Sequence, residues 1–268
     1  MNRIGQTFKR LKQEQKKAFI PYITAGDPDI KTTKSIISAL VNAGSDIIEL
    51  GVPFSDPLAD GPTIQRAIQR SLASGCSVGK VFGLVKDIRC DFDIPIVFMT
   101  YYNIVFNYGI NRFVKDAKKA GVDGIIVPDL PMEESKELIC AADKQDFYVI
   151  MLTAPTTPLE RFERITGCSR GFVYYVSLTG VTGERKALSS GLKSELKELR
   201  KVSTKPLCVG FGISTALQAK NVACLADGVI VGSALIKIIE QNLNKNHRIA
   251  EKVGKFAKTI ADAVHNIG

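Results

Sequence analysis

Residues 46–62 read DIIELGVPFSDPLADGP: an apolar run, Ile47, Ile48, Leu50 and Val52, that carries one carboxylate, Glu49. The run then breaks into a proline- and glycine-rich loop with two more carboxylates, Asp56 and Asp60. Side chains alternate faces along a strand, so Ile47 and Glu49 share one side while Ile48 and Leu50 share the other. A short strand apolar on both faces belongs in a parallel sheet covered by helices. The charge at Glu49 is the exception that needs a reason.

The rest of the chain repeats this pattern. Short strand-like runs, AFIPYI (18–23), DIIEL (46–50), IPIVFM (94–99), GIIV (124–127), YVIML (148–152), GFVYYV (171–176), PLCVG (206–210) and GVIVG (228–232), alternate with helical stretches. Those stretches include Lys31–Asn42, Thr63–Ser74, Arg112–Ala120, Glu133–Lys144, Leu192–Lys201 and Thr215–Cys224. Eight such units in about 250 residues are the size of a (β/α)8 barrel with right-handed crossovers. The rival, an open doubly wound sheet, would carry a G-x-G-x-x-G turn after its first strand, and none is present. No composition shift divides the chain, so the expected architecture is α/β, a single-domain TIM barrel over residues 1–268. Ile4, Phe8 and Leu11 recur at helical spacing and predict an extra N-terminal helix.

A barrel gives Glu49 its reason. With Ile48 and Leu50 against the helices, Glu49 faces the barrel axis at the C-terminal end of its strand, where barrel enzymes build their sites. The following loop can bring Asp60 close before a helix opens at Pro62–Thr63. The plainer reading makes Glu49 a salt-bridged side chain and Asp60 a helix N-cap.

Bulk properties narrow the function. The chain has 268 residues, 45% of them hydrophobic, as a globular protein should. No apolar run approaches the ~20 residues of a membrane span, and MNRIGQTFKRLKQEQKK lacks the apolar core of a secretion signal. The six cysteines form no C-x-x-C pair and read as reduced core thiols of a cytoplasmic protein, with no zinc spacing. A net charge of +9 points to an anionic partner. The basic residues are spread along the chain without aromatic interleaving, which favours a small anionic substrate, or an ordinary solvated surface, over nucleic acid. The only histidines, His247 and His265, fall in the closing helical stretch. Proton transfer must then fall to carboxylates or tyrosines.

Two glycine turns supply a place for phosphate. VGFGIS (209–214) and VGSALI (231–236) each end a strand and open a helix. Unpaired N–H groups face an anion there, and glycine permits close approach. The long segment SLTGVTGERKALSSG (177–191) reads as a lid.

Together with PYITAGDPD (21–29), IELGVPFSDPLADGPTIQRA (48–67), VPDLPMEES (127–135), GVTGER (180–185) and VGSALIKIIEQ (231–241), these motifs make the chain resemble tryptophan synthase alpha subunits over essentially its whole length. The resemblance implies retro-aldol cleavage of indole-3-glycerol phosphate to indole and glyceraldehyde 3-phosphate, at the last stage of tryptophan biosynthesis. It makes Glu49 the general acid/base and Asp60 the acceptor of the indole N–H. Burial of Glu49 should raise its pKa, leaving a proton to give. Tyr174 would line the site near Glu49, with neighbouring Tyr175 leaving the register open. Ile64 and Phe211 would enclose the ring, and Tyr22 falls where relatives often have Phe. Backbone groups at Gly183, Gly212, Gly232 and Ser233 would hold phosphate, and Thr182 on the lid would reach Asp60. The resemblance also implies an α2β2 complex with a beta subunit that carries pyridoxal phosphate, and no cofactor in this chain. The loop holding Asp56 and the lid would face that partner. Other readings are a free-standing indole-3-glycerol-phosphate lyase and a non-catalytic barrel that binds and activates a partner.

Overall fold

The computed structural model describes residues 2–176, 185–210 and 212–267, without the side chains of 185–191 and 247. Eight parallel strands close into a barrel in chain order. They are β1 (Ala18–Thr24), β2 (Ile48–Gly51), β3 (Ile96–Met99), β4 (Gly124–Ile126), β5 (Tyr148–Thr153), β6 (Val173–Val176), β7 (Leu207–Gly210) and β8 (Gly228–Val231). Closure comes from Ala18–Pro21 of β1 lying against Gly228–Val231 of β8, so no sheet edge is left unpaired.

Helix α1 (Arg3–Gln13) precedes the barrel. The crossovers carry α2 (Ile30–Asn42), α3 (Pro62–Ala73), α4 (Val78–Arg89), α5 (Tyr102–Tyr108), α6 (Ile110–Ala120), α7 (Lys136–Asp143), α8 (Leu159–Cys168), α9 (Arg185–Val202) and α10 (Ala216–Ala223). After β8 come α11 (Ser233–Glu240) and α12 (Asn246–His265). Asp29, Ser77 and Thr215 start α2, α4 and α10 by accepting backbone N–H groups of the first turn.

Strand alternation sorts the core into two layers. Ile20, Ile47, Val97, Ile126, Ile150, Tyr174, Cys208 and Ile230 fill the barrel interior. Phe19, Ile23, Ile48, Leu50, Ile96 and Phe98 pack outward beneath the helices. Each such side chain contributes about 1.5–3 kcal/mol by leaving water. The N-terminal helix plugs the bottom of the barrel: Ile4 and Leu11 join the interior layer, and the Phe8 ring sits 5.7 Å from that of Phe172.

Several details differ from the sequence reading. Strand β2 begins at Ile48 because Asp46 leaves the sheet pattern to accept the Phe19 N–H at 2.9 Å and pair with Arg10 at 3.1 Å. The β2–β3 and β3–β4 crossovers hold two helices each. Helix α4 was hidden by Gly79 and Gly83, whose helix penalty of about 1 kcal/mol each is outweighed by five buried side chains. Only Cys76 and Cys208 are buried thiols; Cys90, Cys140 and Cys224 are exposed, two of them at helix C-caps. Among the described residues no helix is long and apolar enough to cross a membrane.

Candidate active site

Strand β2 delivers Glu49 to the barrel interior, where it is 1% exposed. Neither carboxylate oxygen has a hydrogen-bond partner among the described residues, so the salt-bridged alternative does not hold. An unpaired buried carboxylate resists ionisation. Burial, and then the charge of Asp60, lift its pKa from 4.5 to about 8. At neutral pH the group therefore keeps a proton that it can give.

Asp60 is held from across the mouth. Its Oδ2 accepts from Tyr101 Oη at 2.7 Å, and the same phenol oxygen accepts the Ala59 N–H at 3.0 Å. Tyr101 stands at the N-cap of α5, just past the end of β3, so the loop after β2 is fastened to the neighbouring strand. Burial raises the Asp60 pKa, and the Tyr101 bond pulls it down. The N-cap of α3 is Gly61, with no side-chain cap, so Asp60 is not spoken for by the helix.

Two phenols complete the walls. Tyr22 is the register partner of Glu49 on β1. Tyr174 faces the interior, whereas Tyr175 turns outward and donates to Glu195, which settles the register left open by the sequence. Both rings lie across strand ends that lack side chains. A Cβ on Gly51 would collide with Tyr22 Oη, and one on Gly210 would come within 2.5 Å of Tyr174 Oη. Burial raises both phenol pKa values far above the ordinary range, helped most by Asp60 for Tyr22 and by Glu49 for Tyr174. Neither will lose its proton during turnover. Ile64, in the first turn of α3, is half-buried against the core.

The two glycine turns are not equivalent. Gly212 has a φ of +75°, a conformation that favours glycine. The helix after it, α10, is closed by its own capping box between Thr215 and Gln218, and Gln218 Oε1 also takes the Ser214 N–H at 2.9 Å. Helix α11 has no side-chain cap at Gly232, so among the described residues the N–H groups of Ser233 and Ala234, ahead of the Leu235 N–H that bonds the Gly232 carbonyl, stay available to an anion. Thr182, Gly183 and Phe211 lie outside the described residues.

A family model described as "Tryptophan synthase alpha chain" matches residues 8–265. The chain belongs to the tryptophan synthase alpha chain family. The family's alpha chain from Caldanaerobacter subterraneus subsp. tengcongensis is 51% identical over 98% of this chain and 100% of its own length. That from Geotalea uraniireducens is 47% identical over 100% of each. Among solved structures, tryptophan synthase subunit alpha from Legionella pneumophila str. Paris superposes with a TM-score of 0.92 at 40% identity, covering 98% of each chain. Tryptophan synthase from Mycobacterium tuberculosis gives 0.89 at 35% identity, again over 98% of each chain. Membership in the tryptophan synthase alpha chain family makes the protein a lyase of tryptophan biosynthesis that performs the indole-3-glycerol phosphate cleavage half-reaction.

One residue of the candidate site, Tyr101, is absent from the sequence reading. Tyr101 lies two residues past IPIVFM (94–99), after Thr100. A strand's C-terminal end is where barrel sites gather, so its position alone was a usable signal.

Proposed function

We propose that Glu49 and Asp60 divide the proton work of cleaving indole-3-glycerol phosphate. Glu49, protonated at rest, gives its proton to ring carbon C3. The ring N–H, acidified as the indole becomes cationic, is held by the Asp60 carboxylate. Glu49 then takes the proton of the glycerol hydroxyl next to the ring. The electrons of that O–H bond form the aldehyde, and the pair of the breaking C–C bond returns to C3 and restores the indole. One proton leaves Glu49 and one comes back, so the step balances without an added base or metal. The observation that carries this reading is the unpartnered Glu49 carboxyl, its pKa near 8 and its field coupled to Asp60.

The uncapped start of α11 at Gly232 and Ser233, with the glycine turn at Gly212, supports a phosphate cradle. Tyr22, Tyr174 and Ile64 wall the indole, with Thr182, Gly183 and Phe211 assigned to the same pocket from the family motif. The chain works as one barrel domain over residues 1–268.

The partner is a tryptophan synthase beta subunit in an α2β2 complex, and pyridoxal phosphate belongs to that subunit. What favours a partner over a free-standing lyase is apolar surface on one side of the mouth. Leu58, in the loop that Tyr101 fastens, is 92% exposed, and Phe106 of α5 is 62% exposed beside Tyr102. Exposed apolar side chains on the loop after β2 and on α5, two segments that Tyr101 ties together, suit an interface. Six unpaired cysteines fit a reducing, cytoplasmic setting.

Release of indole from indole-3-glycerol phosphate tests the assignment, with and without a beta subunit. Glu49→Gln and Asp60→Asn should each bind substrate and turn it over at least ~100-fold more slowly. Normal indole formation by Glu49→Gln would refute the acid/base role given to Glu49.

A further inference from the structure

Tyr22 carries an atom that a wall does not need. The phenol oxygen sits on the mouth side of Glu49, over Gly51, the next inward-facing position of β2. The ring is steadied on its other flank by Gly232, where a Cβ would lie 3.2 Å from Cδ1. Gly51 on β2 and Gly232 just past β8 thus hold the phenol in place, with its oxygen in the fields of Asp60 and Glu49. Among the described residues its hydrogen-bond partner is Thr24 Oγ1, at a long 3.3 Å. The side chain is 5% exposed, and a buried hydroxyl with one weak bond is costly compared with a phenyl ring of the same shape. Burial and the two acids keep its proton on, so this hydroxyl can donate to a substrate oxygen and does not act as a base.

We infer that the Tyr22 hydroxyl is a specificity-determining hydrogen-bond donor to the glycerol oxygen beside the breaking C–C bond. The inference rests on the proposed roles of Glu49 and Asp60. With Asp60 on the ring N–H and Glu49 drawing off the hydroxyl proton, the oxygen that becomes the aldehyde gathers negative charge in an apolar interior. A fixed donor there holds it in register with Glu49 and supports that charge. No bond to the Tyr22 proton breaks.

The test compares wild type with Tyr22→Phe in two measurements: steady-state cleavage of indole-3-glycerol phosphate, and the Kd of indole-3-propanol phosphate, which keeps ring and phosphate but has neither glycerol hydroxyl. The expected result is a fall in kcat/KM of about tenfold with the Kd of the analogue unchanged within about twofold. Unchanged kcat/KM, or a loss of analogue binding that matches the loss of activity, overturns the inference, because either means the ring alone matters. Full activity in Glu49→Gln would instead count against the roles of the acids, and the split between turnover and analogue binding speaks to Tyr22 alone.

Discussion

Removing the charge of Glu49 should make the folded protein more stable, and the gain should depend on pH. A carboxyl whose pKa rises from 4.5 to about 8 on folding binds protons more tightly in the native state. Below about pH 4.5 it is protonated in both states and carries no ionisation penalty. As pH rises through the window up to about 8, the unfolded chain ionises while the native state does not, and native stability is lost. At 1.36 kcal/mol per pKa unit, the loss is about 3 kcal/mol at pH 7 and about 5 kcal/mol above pH 8. Glu49→Gln does not titrate, and other ionisations cancel in the difference between the two proteins. Urea unfolding of both across a pH series should show their stability difference growing by about 4 kcal/mol from about pH 5 to about pH 8.5, in favour of Gln. Parallel stability curves would refute the reasoning, because they would mean that Glu49 ionises as easily folded as unfolded.

Four further outcomes follow from the same contacts. Asp60→Asn removes the second cause of the Glu49 shift and leaves burial, so the Glu49 pKa should fall toward, but not reach, 4.5; the pH-dependent stability difference between Asp60→Asn and the Asp60→Asn/Glu49→Gln double variant reads it. Tyr101→Phe deletes the 2.7 Å bond to Asp60 and frees the Ala59 N–H, so kcat/KM should drop by about tenfold or more while thermal stability changes little. Gly210→Ala drives a Cβ to 2.5 Å from Tyr174 Oη and should destabilise the fold, and by clearly less in a Tyr174→Leu background, as a double-mutant cycle in urea would show. Arg70 holds the fully buried Asp27 through bonds of 2.7 and 2.8 Å; Arg70→Met should cost about 3 kcal/mol near neutral pH, with the deficit shrinking in acid as Asp27 is protonated.

How much of this was legible beforehand depends on the range of the contact involved. Strand faces are a local property, so the inward turn of Glu49 and the outward turn of Ile48 and Leu50 could be read from period alone. The role of Tyr101 could not, since it exists only because a loop 41 residues earlier in the chain folds back across the end of β3. The same holds for Gly51 and Gly210, which look like ordinary strand-end glycines and turn out to be seats for phenol rings from neighbouring strands. The unequal phosphate turns were a readable signal that was passed over. Thr215 and Gln218 stand three apart, the spacing of a capping box, and that box is what occupies the start of α10 and leaves α11 for an anion.

The interior also explains why one chain can hold so uncomfortable a group. At the bottom of the barrel α1 seals an aliphatic layer, and Ile47, one inward position below Glu49, continues it. Toward the mouth, Gly51 replaces what would be the next inward side chain, and Tyr22 fills that volume with a group that donates but does not ionise. Among the described residues, Glu49 is thus dry from below and faces neutral phenols and Asp60 from above, with no cation paired to its carboxylate. An arginine at this spot would relieve the folded state and remove the acid. The stability that this carboxyl costs at neutral pH and the proton available for ring carbon C3 therefore have one origin, and a substitution that relieves the first by stabilising the ionised carboxylate must weaken the second.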